Sequence, residues 1–224
     1  MAFLSSLSRA LVRDEQEAES RWPALVALLA VGGLNFALPD LISFGPSWGL
    51  LLLIGVLSVP TFLTHRAQKH KLNQTLGYIV NTIETLALMA GVASLVSVLL
   101  HGGAKPVPLL QSAVLLWITN VLVFALWYWR LDAGGPHQRG ARKGHTSGAL
   151  LFPQMTFDDP EGKNANWSPH FVDYLFVAFN TSTAFSPTDA PVLSRWAKVL
   201  TMLQSSISLT IISLLAARAV NILS

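Results

Sequence analysis

Five stretches of the chain are predominantly apolar: residues 22–38, 47–63, 76–100, 108–129 and 199–217. At 1.5 Å per helical residue, about 20 residues cross a hydrocarbon core of roughly 30 Å, so the first two are short and the third is generous. A soluble protein disperses its apolar positions along amphipathic elements, whereas here they are gathered into runs. The pattern predicts an all-α integral membrane protein with five transmembrane helices. Trp22, Trp48, Trp127, Tyr128, Trp129 and Trp196 fall near the ends of the runs, where amphipathic rings favour the headgroup layer.

Three segments do not follow this pattern. Residues 1–21 place Leu4, Leu7, Leu11 and Val12 at near-helical spacing among mixed charges and read as an amphipathic interfacial segment. Four acids separate its basic positions from the first apolar run, so it reads as retained rather than as a signal peptide. Residues 130–169 are rich in glycine, proline and charge, include Gly134-Gly135-Pro136, and read as a polar cytoplasmic loop with one ordered stretch at Leu150-Leu151-Phe152-Pro153. Residues 174–186 are apolar and helix-like but too short to span comfortably, which suits a re-entrant half-helix, with six full spans as the alternative. The expected organisation is therefore 1–21 interfacial, 22–129 a four-helix membrane region, 130–169 a loop, and 170–224 a module of half-helix, turn and final span.

Charge orients this arrangement. With five spans, thirteen of the fifteen Lys and Arg residues fall on the side of the N-terminus, and only Lys105 and Arg218 on the other; with six spans the division is twelve to three. Both counts place the N-terminus in the cytoplasm, and neither chooses between five spans and six. Composition agrees with this, since 52% of residues are hydrophobic and 12% are charged, about half the usual charged share. A surplus of three cations is too small and too dispersed to point to nucleic acid. The chain has no cysteine, which excludes thiolate metal sites, iron–sulfur clusters and cysteine nucleophiles. The six histidines lack the i, i+4 spacing of a helical metal site, and Asp158, Asp159 and Glu161 lack the alternation of a calcium loop. No metal, cofactor or enzymatic motif is expected.

The polar residues inside the runs are the candidates for function. Glu84 is the only acid well within a predicted span, and it shares a helical face with Gln74, Tyr78, Asn81 and Thr85. Two readings stand: a neutral carboxyl hydrogen-bonded to Asn35 or Asn120, or an ion or proton site. The last span carries Thr201, Gln204, Ser205, Ser206, Ser208, Thr210 and Ser213, with Gln204 and Ser208 on a face that either lines a wet path or packs against a neighbour.

From Tyr174 onward the order of features resembles the pore module of potassium-channel-like proteins. A short helix runs into Thr181-Ser182-Thr183-Ala184-Phe185-Ser186-Pro187-Thr188-Asp189, then Arg195-Trp196-Ala197-Lys198 opens a final hydrophobic helix. The same third of the chain resembles a family of uncharacterised bacterial inner-membrane proteins with a Phe-Pro loop, a Tyr-containing short helix and a Thr/Phe turn ending in Asp. The filter glycines are absent and Pro187 fixes its own φ, so potassium selectivity does not carry over. The charge count also brings the loop in from the cytoplasm, as in the inverted pore of ionotropic glutamate receptors. The resemblance implies an oligomeric pore for a monovalent ion, with Thr181, Ser182, Thr183, Ser186, Thr188 and Asp189 at the entrance, Gln204 and Ser208 deeper, and Asn81 and Glu84 as an intramembrane polar pair. Two competing expectations are a non-conducting scaffold, in which the turn merely caps a helix, and a small secondary transporter.

Overall fold

The computed structural model describes residues 20–39, 42, 46–66, 70–101, 106–142, 147–156, 167–186 and 189–223. The expected interfacial helix up to residue 19, the acidic patch at 158–161 and Thr188 lie outside them. The described chain is helical, with no strand beyond one antiparallel bridge between Leu150 and Val192. Seven α-helices follow in order: α1 Trp22–Phe36, α2 Ser47–Arg66, α3 His70–His101, α4 Pro106–Leu131, α5 Pro136–Gly140, α6 Phe171–Ala184 and α7 Arg195–Leu223. Three segments, His70–His101, Pro106–Gly134 and Arg195–Arg218, are long and apolar enough to cross a membrane; Trp22–Phe36 and Trp48–Thr61 are shorter apolar helices.

Helix α4 is the axis of the bundle. Val123, Phe124, Ala125 and Leu126 are all buried in succession, which a helix achieves only when neighbours cover its whole circumference. Those neighbours are α1, α3, α6 and α7, and α2 lies across α1 and α3. On α3 the usual amphipathic order is inverted. Leu72, Ile79 and Leu86, seven residues apart, are exposed, while Asn73, Asn81 and Glu84 are buried. Apolar outside and polar inside is the arrangement a hydrocarbon solvent selects.

The chain after α4 departs from the expected loop. Arg130, Asp132 and Arg139 are buried. A 3-10 turn at Asp132–Gly134 reverses the backbone, with Ala133, Gly134 and Gly135 all at positive φ (50°, 84° and 90°). A Cβ at Gly135 would come 2.8 Å from the Arg130 carbonyl oxygen, so glycine is required there both for its backbone angle and for the close approach. Arg139 then folds back and donates from Nη1 to the carbonyls of Trp129 (2.8 Å) and Asp132 (2.9 Å), with its guanidinium 4.9 Å from the Tyr174 ring centroid. The Asp132 carboxylate accepts from the Tyr174 hydroxyl (2.7 Å) and the Ala149 N–H (2.5 Å). Charges that a sequence reading assigns to water are here used to tie α4, the stretch at 149–151 and α6 together.

Helix α6 descends along α4. Phe171 meets Trp129 edge to face at 6.0 Å, and Phe179 meets Trp117 at 5.9 Å, twelve residues earlier on α4. The helix stops at Phe185, a left-handed residue (φ 57°, ψ 21°). By residues 191–193 the chain is back where α6 began: Leu151 N–H donates to the Pro191 carbonyl and Leu193 N–H to that of Ala149. From there α7 runs antiparallel to α4, placing Gln204 at Tyr128, and Leu214 and Arg218 near Leu109.

Candidate functional site

The end of α6 and the middle of α7 form a buried polar brace. Gln204 is fully buried; its amide donates to the Ala178 carbonyl (2.7 Å) and Ser182 Oγ (2.9 Å), and its Oε1 accepts from the Tyr128 hydroxyl (2.6 Å). Asn120 adds weaker contacts to Ser182 Oγ (3.4 Å) and the Gln204 carbonyl (3.3 Å). Ser208 donates to the Ser182 carbonyl (2.6 Å) and accepts from Trp117 Nε1 (3.1 Å). Thr181, also fully buried, returns its hydroxyl to the Val177 carbonyl. Thr181 and Ser182, expected in the turn, thus belong to the last helical turn of α6 and face inward. The side chains of Gln204 and Ser208 both bond within the protomer, to α6 and α4.

The exposed polar surface lies immediately beside this brace. Thr183, Ser186 and Asp189 are exposed, and Asn180 Nδ2 holds the Asp189 carboxylate at 3.1 Å. Ser205 Oγ reaches the Phe185 carbonyl at 3.4 Å and joins the turn to α7. Further along α7, Ser206, Thr210 and Ser213 are exposed, at i, i+4 and i+7, and the first two bond their own helix at Met202 and Ser206. The sequence left the Gln204/Ser208 face of α7 open between a wet path and packing, and did not single out the opposite face. Ile207 and Ile211 are buried beside Gln204 and Ser208, so reading the wheel from the apolar residues would have turned Ser206 and Thr210 outward.

Asn81 and Glu84 are fully buried on α3, and neither side chain has a hydrogen-bond partner among the described residues. Asn35 and Asn120 are not partners of Glu84, against expectation; Asn120 is occupied on the α6/α7 side of α4. The charge that Glu84 faces is Arg130. The Arg130 guanidinium lies against the backbone of α3 at Gly77, where a Cβ would overlap it, so the absence of a side chain at Gly77 makes this contact possible.

A cavity of about 620 Å³ opens where the start of α1, the end of α2, the start of α3, the end of α4 and α5 meet. Arg21, His70, Arg130 and His137 stand near its outer end, and Leu25, Leu28 and Leu126 form its inner wall. His70 and His137 stack with ring centroids 3.4 Å apart and an interplanar angle of 10°. Desolvation, then the neighbouring His70 and Arg21 charges, lower the pKa of His137 from the ordinary 6.5. Its proton therefore arrives below pH 6.5, and His70→Phe, which keeps a stacked ring but removes a positive neighbour, is expected to raise the midpoint. Histidine ring resonances followed through a pH titration read this directly; an unmoved midpoint would leave desolvation as the whole cause.

Among the described residues no three histidine or acidic side chains group to hold a metal ion. Compared with protein-family models, curated proteins and solved structures, the chain matches none.

Proposed function

We propose that the chain forms a symmetric oligomeric pore for monovalent ions in a bacterial inner membrane, with five spans and α6 as a half-helix entering from the cation-rich, cytoplasmic side. The observation that carries this reading is the depth of the exposed turn. Ser205 and Ser208, which hold the end of α6, lie ten and thirteen residues into α7, about 15–20 Å along its axis and so near the middle of a ~30 Å core. Exposed Thr183 and Ser186 at that depth require water or a second protomer. One half-helix cannot enclose a path, and rotation about a common axis brings the turns together. Ser206, Thr210 and Ser213 extend the polar surface along α7, and the Gln204 brace holds the turn from behind. The scaffold reading draws its support from the same brace, because a network satisfied within one protomer needs no pore to explain it.

Two measurements separate these readings. The chain has no cysteine, so Ser186→Cys introduces a single thiol; turns meeting around an axis will cross-link protomers, and turns facing lipid will not. In liposomes the protein is expected to pass monovalent cations above empty vesicles, with Asp189→Asn reducing the flux severalfold. Flux equal to empty vesicles, with no cross-link, would leave the scaffold.

A further inference from the structure

We infer that the cavity where α1 to α5 meet is a binding site for a membrane amphiphile with a net anionic phosphate head, separate from the proposed pore. Its polarity runs along the bundle axis. Arg21 precedes α1, His70 opens α3, and Arg130 and His137 lie at the end of α4 and in α5, so four basic groups share the outer end. No acidic side chain is among the lining residues that the structure describes. Leu28 lies six residues into α1 from Trp22, about 9 Å deeper, where Leu25 and Leu126 join it. A cationic mouth over an apolar pocket matches an anionic head with a hydrocarbon tail, and fits poorly with a wholly water-soluble anion. The volume lies within the roughly 300–1,000 Å³ of small-molecule sites, enough for a head and part of one chain.

The site is built rather than incidental. Arg130 is 9% exposed, and its Nε has no hydrogen-bond partner among the described residues. Ser58 Oγ, in the wall contributed by α2, is also buried and without a partner among them. Both are donors that a phosphate oxygen or its bridging water satisfies, and guanidinium groups suit phosphate through parallel N–H bonds. Basic pockets between membrane helices at the cytoplasmic face are where anionic headgroups bind.

The inherent tryptophans provide the readout. Trp22 and Trp129 line the cavity, so a lipid with brominated chains that enters it quenches them, above the quenching by lipid around the whole bundle. Purified protein is titrated in mixed micelles with brominated phosphatidic acid or brominated phosphatidylcholine. Phosphatidic acid is expected to quench at a mole fraction about tenfold lower, the equivalent of one charge-assisted hydrogen bond. Arg21→Gln, at a partly exposed position before α1 where Arg21 Nη1 also donates to Asn73 Oδ1 (3.3 Å), is expected to remove most of that difference in protein whose thermal unfolding in detergent is still cooperative, and Arg130→Gln should remove it too. Inorganic phosphate that competes with phosphatidic acid identifies the phosphate as the recognised group. Equal quenching by the two lipids overturns the proposal, as does binding of inorganic phosphate with no preference between them, which makes the occupant a soluble phosphate compound. A preference that survives Arg21→Gln and Arg130→Gln alike also overturns it, by placing the lipid elsewhere.

Discussion

Replacing Asp132 with alanine is expected to destabilise the protein by about 3–5 kcal/mol, the range for removing one partner from a buried charged network. The carboxylate is fully buried and is the acceptor for two donors that have come from distant parts of the chain, the Tyr174 hydroxyl on α6 and the Ala149 N–H. Its loss leaves both donors buried without that acceptor, at about 1–3 kcal/mol each, while the bond from Arg139 to the Asp132 backbone carbonyl remains. Tyr174→Phe removes one of these bonds and should cost about 1–2 kcal/mol. The double variant should be less destabilised than the sum of the two single ones, because the Tyr174 bond can be lost only once. Thermal unfolding in detergent, followed by tryptophan fluorescence, measures all three. Additive effects would mean that Asp132 and Tyr174 act through separate contacts.

The same group shows where sequence reading ran out. The apolar runs were legible because hydrocarbon demands long helices, and α1 to α4 and α7 overlap the five segments read from the sequence. The shortness of α6 was legible too, since about 13 apolar residues cannot cross and Phe171–Ala184 is 14 long. Arg130, Asp132 and Arg139 were assigned to solvent because charge density in a Gly- and Pro-rich stretch usually means a loop. What overrides that rule is pairing over distance, with Asp132 bonded to residues 17 and 42 positions away, which no local pattern contains. The choice between a wet path and packing on α7 stayed open for a related reason. Its hydroxyls occur on both sides, and only the facing residues of α4 and α6 decide which side is wanted. The cavity could not be read at all, because its five walls come from positions 21 to 141 and each basic group looks like an ordinary residue at a span end.

Gln204→Leu is expected to cost about 2–4 kcal/mol, and its effect on function distinguishes a brace from a lining residue. The substitution keeps most of the side-chain volume but deletes three contacts, to Ala178, Ser182 and Tyr128. Hydrogen bonds between membrane helices are individually modest, about 0.6 kcal/mol on average and near 1.7 at most, because the alternative state in lipid also finds partners. Three together, with the Tyr128 hydroxyl left buried, reach the stated range. Gln204→Glu retains the acceptor for Tyr128 and loses the donors to α6, so it separates the two halves of the network. If Gln204 acts as a brace, leucine should lower stability and flux together, and Ser186→Cys cross-linking should weaken as the end of α6 loosens. A residue that instead lined the ion path would show changed ion selectivity with unchanged unfolding, and that result would move the pore axis to the opposite face of α7. The structure predicts the former, because Gln204 is 0% exposed and its polar atoms already point at α4 and α6.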